Sequence, residues 1–162
     1  RSFLLETKVN AELRMVGWED NPDRPIENEI LAMSKVLGIE EKLKFLGRKT
    51  VGAELNVAYR AADVYVLPSY NEGFPRTIWE AMGQSTPVIV SKVGGIPKIL
   101  SHGEHVYLIE PHNSDEVAKA LKEVYTNKSL RRRIIKNGFA LAQDNTLERQ
   151  VQRIINHLKV NA

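Results

Sequence analysis

Short β-branched runs alternate with helical patterns from residue 12 to residue 111, and few folds tolerate that alternation. "ELRMVG" (12–17) reads as a strand ending at Gly17. "PIENEILAMSKVLG" (25–38) reads as a helix, with Pro25 in its first turn and Gly38 stopping it. Ile30, Leu31, Ser34 and Leu37 fall near one face of that helix. "LKFLG" (43–47) is a second strand and "GAELNVAYRAA" (52–62) a helix, with Leu55, Ala58 and Tyr59 at helical spacing. "DVYVLPS" (63–69) is a strand whose unbroken apolar run fits burial on both faces. A helix over 75–84, a strand "PVIVS" (87–91), a short helix or turn over 96–103 and a strand "HVYLIEP" (105–111) complete the series. The pattern predicts an α/β fold with a mostly parallel sheet and helices on its faces. Ligands of such sheets bind beyond the carboxyl ends of the strands, so the loops after Val16, Leu46, Leu67 and Val90 are the informative ones.

Beyond residue 111 the chain is helical. "NSDE" (113–116) has the form of a capping box, and Val117, Leu121, Val124 and Tyr125 follow at helical spacing. Leu130, Ile134, Ile135 and Phe139 continue the pattern. "NTLE" (145–148) is a second box, followed by an apolar stripe of Leu147, Val151, Ile154, Ile155 and Leu158. The 162 residues suit one domain, and 43% hydrophobic residues are ample for its core. Cysteine is absent, which excludes disulfides and thiolate metal sites and fits a reducing compartment such as the cytoplasm. A net charge of +3 gives no support to nucleic-acid binding. No apolar run approaches the roughly 20 residues of a membrane span. The opening "RSFLLETK", without an initiator Met, reads as part of a longer protein.

"NEGFPRTIWEAMGQSTPVIVSKVGG" (71–95) is the densest stretch. It follows a strand end, and Pro75 sits where a first helical residue would sit, with φ already suited to a helix. The N–H groups of Arg76, Thr77 and Ile78 would then point out of the helix N-terminus and, with the helix dipole, form an anion site. Gly73 lets backbone approach a ligand closely. Glu80 lies ~7.5 Å further along the axis than Pro75, and Glu72 lies in the loop on the other side. The two carboxylates bracket the anion site. A molecule with hydroxyls at both ends and a negative middle suits that spacing, as a nucleotide-sugar does. On spacing alone, a solvated helix glutamate and a loop carboxylate would give the same pattern.

The segment "ADVYVLPSYNEGFPRTIWEAMGQSTPVIVSKVGGIPKIL" (62–100) resembles the signature region of the retaining glycosyltransferases of family GT4, the glycosyl transferases group 1. The shared features are the strand "ADVYVLPS", the Glu72/Glu80 pair with "EGFP", then "PVIVS" and "VGGIP". "LRMVGWED", "LKFLGRKT" and "GEHVYLIEPHNSDEVAKAL" sit where that family has its flanking strands and helix. The resemblance implies the C-terminal, nucleotide-donor half of a GT-B fold, a Rossmann-like domain. It implies that Glu72 lies near the transferred sugar as the catalytic carboxylate. Gly73, Phe74 and Arg76 would contact sugar hydroxyls or phosphate through backbone N–H groups. Thr77 and Ile78 would hold the diphosphate, Glu80 the ribose diol, and Gly47 and Arg48 would border the nucleobase. The donor would be a UDP-, GDP- or ADP-linked sugar and the acceptor a glycan or lipid-linked glycan. The family's Arg/Lys pair that holds the diphosphate, and its N-terminal acceptor domain, have no counterpart in this sequence. Lys8 and Arg14 do not match the pair. The chain alone is therefore expected to be inactive or nearly so.

Other signals carry less. There is no D-x-D, so a divalent-metal site of the other large glycosyltransferase fold has no support, and no cofactor is implied. His102, His105, His112 and His157 lack metal spacing, and His102 and His105 read as solvated turn residues. The Gly94–Gly95 pair falls short of a dinucleotide fingerprint. "RRR" (131–133) reads as a solvated helix face, compatible with peripheral contact between the parent enzyme and the inner membrane face. Trp18 and Asp20 follow a strand end and are placed to line a cleft, whereas Trp79 is expected in the core. Two rival readings are an epimerase or hydrolase using Glu72 and Glu80 as an acid/base pair, and a nucleotide-binding module without transfer. The first is disfavoured by a helix N-terminus between the two carboxylates.

Overall fold

A computed structural model of the chain describes residues 1–160, side chains through Lys159. The chain divides into two compact units, Arg1–Leu55 and Asn56–Ala162.

The first unit begins with a helix that the periodicity does not reveal, α1 (Ser2–Thr7). Strands β1 (Leu13–Met15) and β2 (Leu43–Phe45) pair in parallel, with Leu13 opposite Leu43 and Met15 opposite Phe45. Between them runs α2 (Pro25–Leu37), which Gly38 ends at φ 63. The expected face is the covered one, with Ser34 buried and Ile30, Leu31 and Leu37 half-buried. The Glu19 carboxylate accepts the N–H groups of Ile26 and Glu27 at 3.1 and 3.2 Å. The N-terminus of α2 is thus satisfied from within the chain. A 3-10 turn (Glu40–Lys42) leads into β2.

Helix α3 (Ala53–Arg60) crosses into the second unit, which holds the parallel strands β3 (Tyr65–Leu67), β4 (Val88–Ser91) and β5 (Tyr107–Ile109) in that spatial order. The central strand β4 is buried throughout, as parallel strands covered on both faces are. Ile89 and Ile109 pack with Ala120, Val124, Leu130 and Ile134. Those four belong to α6 (Ser114–Thr126) and α7 (Lys128–Asp144). Helix α4 (Arg76–Gly83) buries Ile78, Ala81 and Met82. A Cβ on Gly138 of α7 would stand only 3.1 Å from the His105 carbonyl and 3.2 Å from the Met82 side chain, so glycine there permits the close packing. A single turn, α5 (Ile96–Ile99), joins β4 toward β5.

The helix ends depart from the sequence reading in two places. Asn113 caps α6 by accepting the Glu116 N–H at 3.0 Å, but the Glu116 carboxylate accepts the Glu110 N–H at 2.7 Å. Only half of that capping box forms through its own residues. Asn145 closes α7, and the hydroxyl of Thr146 receives the Arg149 N–H at the start of α8 (Leu147–Val160). The α8 stripe forms as a helix face, but its five residues are 38–73% exposed among the described residues.

The surface histidines are more engaged than expected. His102 Nδ1 accepts the Leu108 N–H at 3.1 Å and His105 Nδ1 accepts the Ser101 N–H at 3.2 Å. Arg133 is likewise not simply solvated, since its Nε donates to the Gly103 carbonyl at 2.6 Å. Among the described residues, no helix is long and apolar enough to cross a membrane.

Candidate functional site

The loop after β3 carries the first carboxylate and ends at α4. Pro75 is the N-cap of α4, with φ −73 and ψ 130, and Arg76 is the first helical residue. This corrects the expectation that Pro75 opens the helix. Its φ is the one proline fixes, but its ψ is extended, as the cap position requires. The Pro75 carbonyl accepts the Ile78 N–H at 3.2 Å, so the expected three outward N–H groups reduce to those of Arg76 and Thr77. The N-cap residue makes no side-chain capping bond, in contrast to the Glu19 carboxylate at the start of α2. The first turn of α4 also has no acidic residue.

A second loop holds the first in place. Gly95 donates its N–H to the Gly73 carbonyl at 2.8 Å. Gly94 adopts φ 56, and a Cβ there would collide with the Glu72 carbonyl and stand 2.8 Å from the Gly73 carbonyl. The "VGG" turn after β4 therefore seats the Glu72–Gly73 backbone by direct contact between main chains, which only glycine permits. The Tyr70 ring stacks on His112 at 3.8 Å, tying the loop after β3 to the loop after β5.

Within this frame the two carboxylates are each held by a hydroxyl. Ser69 donates to Glu72 Oε1 at 2.8 Å. Tyr59 donates to Glu80 Oε2 at 3.2 Å, while Arg76 Nη2 lies 3.3 Å from Glu80 Oε1. The phenol of Tyr65, on β3, responds to these groups. Burial raises its pKa above the usual value, a hydrogen bond with Thr77 acts in the opposite direction, and the Glu72 and Glu80 charges raise it further. The half-buried Tyr65 phenol thus feels Glu72, Thr77 and Glu80 together.

Other predicted residues fall as follows. Phe74 precedes the cap and stacks on Trp79 at 5.0 Å, so Trp79 is half-buried against the site loop instead of in the core. Gly47 and Arg48 follow β2 in the first unit. Gly47 has φ 64 and its carbonyl accepts the Gly17 N–H, and the Arg48 guanidinium lies 4.3 Å from the Trp18 ring centroid. Trp18 Nε1 donates to Asp20 at 2.8 Å. Sequence reading missed Tyr59 and Ser69 as partners of the carboxylates, Tyr65 as a phenol within reach of their charge, and the Gly94–Gly95 turn as their support. Ser69 lies three residues before Glu72, a spacing that could have flagged it. The tyrosines reach the site through tertiary packing and leave no local signal.

The architecture places the chain among GT-B glycosyltransferases. Anabaena Alr3699/HepE in complex with UDP superposes with a TM-score of 0.83 at 27% identity, over 93% of this chain and 41% of that one. A family model described as "Glycosyl transferases group 1" matches residues 3–140, and the chain belongs to that family. Mannosylfructose-phosphate synthase of Agrobacterium fabrum is 32% identical over 140 residues, 85% of this chain. The uncharacterized glycosyltransferase MJ1607 of Methanocaldococcus jannaschii is 38% identical over 129 residues, 80% of this chain. The chain spans 31% and 32% of the lengths of these two relatives.

Proposed function

We propose that the chain is the donor-binding, C-terminal domain of a retaining glycosyltransferase that moves a sugar from a nucleoside-diphosphate sugar to a glycan or lipid-linked acceptor. The observation that carries this reading is the start of α4, where Ser69 holds Glu72 before the helix, Tyr59 holds Glu80 on it, and the Gly94–Gly95 turn seats the Glu72–Gly73 backbone. The Arg76 and Thr77 N–H groups and the helix dipole would face the diphosphate. Glu80 would take the ribose diol, and Glu72 would hold hydroxyls of the transferred sugar beside the bond that breaks. Gly73 and Phe74 would border that sugar through their backbone. Ile78 contributes through its buried side chain, since its N–H is already bonded.

Departure of the nucleoside diphosphate is the step such a site would favour, because it stabilises charge developing on the leaving oxygen. The leaving phosphate would assist the acceptor on the same face, which retains the anomeric configuration. Positive potential from the helix end and Arg76 would take the place of a divalent cation, a part of the proposal motivated by the lack of a D-x-D motif. The structure of Alr3699/HepE with UDP supports a nucleotide donor. The cytoplasm, with peripheral contact at the inner membrane face, is the compartment proposed for the parent enzyme. The acceptor and completed transfer belong to the longer protein, and the chain by itself would bind donor without turning it over.

Calorimetric titration of the chain with UDP, GDP and ADP tests this. One nucleotide should bind, and Glu80→Ala should weaken it about 10- to 100-fold, the worth of charge-assisted hydrogen bonds. Equal affinity in the variant, or no binding of any nucleotide at millimolar concentration, would sink the reading.

A further inference from the structure

Glu80 is a long side chain at the start of a ligand site, and something must hold its carboxylate still. Arg76 does not, because its side chain is 77% exposed and its contact at 3.3 Å is a surface ion pair. Tyr59 is different. It is 6% exposed, its ring meets Tyr65 edge-on at 5.4 Å, and its carbonyl accepts the buried Thr86 hydroxyl at 2.8 Å. From that fixed position its hydroxyl reaches Glu80 Oε2. Burial, with Tyr65 and Glu80 as further causes, raises the Tyr59 pKa well above the ordinary tyrosine value, so the hydroxyl remains a donor.

We infer that Tyr59 is a positioning residue that sets the preference of this site for ribonucleotides over 2′-deoxyribonucleotides, by holding Glu80 in one orientation. The inference rests on the proposed function, in which Glu80 receives the ribose. A carboxylate has about four acceptor positions, and Tyr59 occupies one of them. The opposite oxygen, Oε1, meets the exposed Arg76 at 3.3 Å, a surface contact that a diol can displace. A carboxylate already ordered spends less of its binding energy on losing rotamers when the diol arrives. A site arranged to bond a hydroxyl rejects the analogue that lacks it, because the carboxylate then loses a partner. If Glu80 swings freely it can turn to water instead, and the penalty for the missing hydroxyl shrinks.

The test compares affinities of the chain for UDP, or whichever nucleoside diphosphate it binds, and the matching 2′-deoxynucleotide. Wild type should favour the ribonucleotide roughly tenfold or more, and Glu80→Ala should abolish the preference. Tyr59→Phe keeps the ring, its packing on Tyr65 and the backbone bond to Thr86, and should lower the preference at least about threefold. Thr86→Val loosens the same helix end without touching the phenol, and should lower the thermal midpoint while leaving the preference intact. If wild type shows no ribose preference, or binds no nucleotide, the proposed function fails and the inference with it. If Glu80→Ala abolishes the preference and Tyr59→Phe leaves it unchanged, the inference alone is overturned. A Thr86→Val variant that loses the preference as fully as Tyr59→Phe would also overturn it, by reducing the effect to loss of stability.

Discussion

A single methyl group at position 94 separates a seated donor loop from a displaced one. Gly94 sits at φ 56, where a Cβ costs about 1–2 kcal/mol by conformation alone. Here it would also collide with the Glu72 carbonyl, a main-chain atom that cannot rotate away. Gly94→Ala should therefore displace Glu72 and Gly73 and weaken nucleotide binding more than about tenfold, consistent with the sensitivity of positioned sites to ångström-scale shifts. Gly83→Ala is the matched control. It closes α4, has open space where its Cβ would go, and should be neutral or stabilising by up to about 1 kcal/mol. Titration and circular dichroism of both variants decide the matter, and wild-type affinity in Gly94→Ala would refute the seating role. At this scale the sequence shows the carboxylate pair, because Glu72 and Glu80 stand at a fixed spacing around a strand-to-helix turn. It does not show Tyr59, 21 residues from Glu80, or Gly94, 22 residues from Glu72, because tertiary packing brings those pairs together.

Elements were legible wherever a period was long enough to read. Strands β1 to β5 and helices α2, α3, α4, α6 and α7 lie where alternation and 3.6-residue spacing put them. The short α1 has too little period to register, and the cap of α8 moved one residue because Asn145 was already used to close α7. A stripe says that a helix has an apolar face but not what covers it. Ile154 and Leu158 of α8 are 60% and 63% exposed, whereas Ile134 of α7 is 1% exposed within the packed cluster. Ile154→Gln and Leu158→Gln should each change the unfolding free energy of this chain by no more than about 0.5 kcal/mol. Ile134→Ala should cost about 2–5 kcal/mol. Denaturant midpoints compare the three, and a loss above about 1 kcal/mol in either α8 variant would show that the helix packs against something within the chain.

For the whole molecule, alternation fixed the class of fold and the parallel sense of its strands, but not how the apolar burial is shared out. Among the described residues, every fully buried apolar side chain lies between Tyr59 and Ala142. Residues 1–55 contribute a buried Ser34 and half-buried apolar residues, although their strands and helix read as clearly in sequence. Global stability therefore reports chiefly on the second unit, where Tyr59 and Tyr65 lie. Burial is the first cause raising both phenols, with Glu80 adding to both and Glu72 to Tyr65. In the unfolded chain each titrates near about 10. Because their folded values are higher, the stability linked to them is fully present below about pH 10 and is lost as pH rises toward the folded values. Above that point the unfolded state has released protons that the native state retains. The unfolding free energy should then fall by up to about 1.4 kcal/mol per pH unit for each such tyrosine. Urea unfolding between pH 8 and pH 11.5, with tyrosinate absorbance as a second readout, measures that slope (the pH limits bracket the reference value of about 10). Tyr59→Phe removes one of the two groups and should make the alkaline fall shallower. An unchanged slope in that variant would assign the alkaline loss to other groups and remove the case for a protected phenol beneath Glu80.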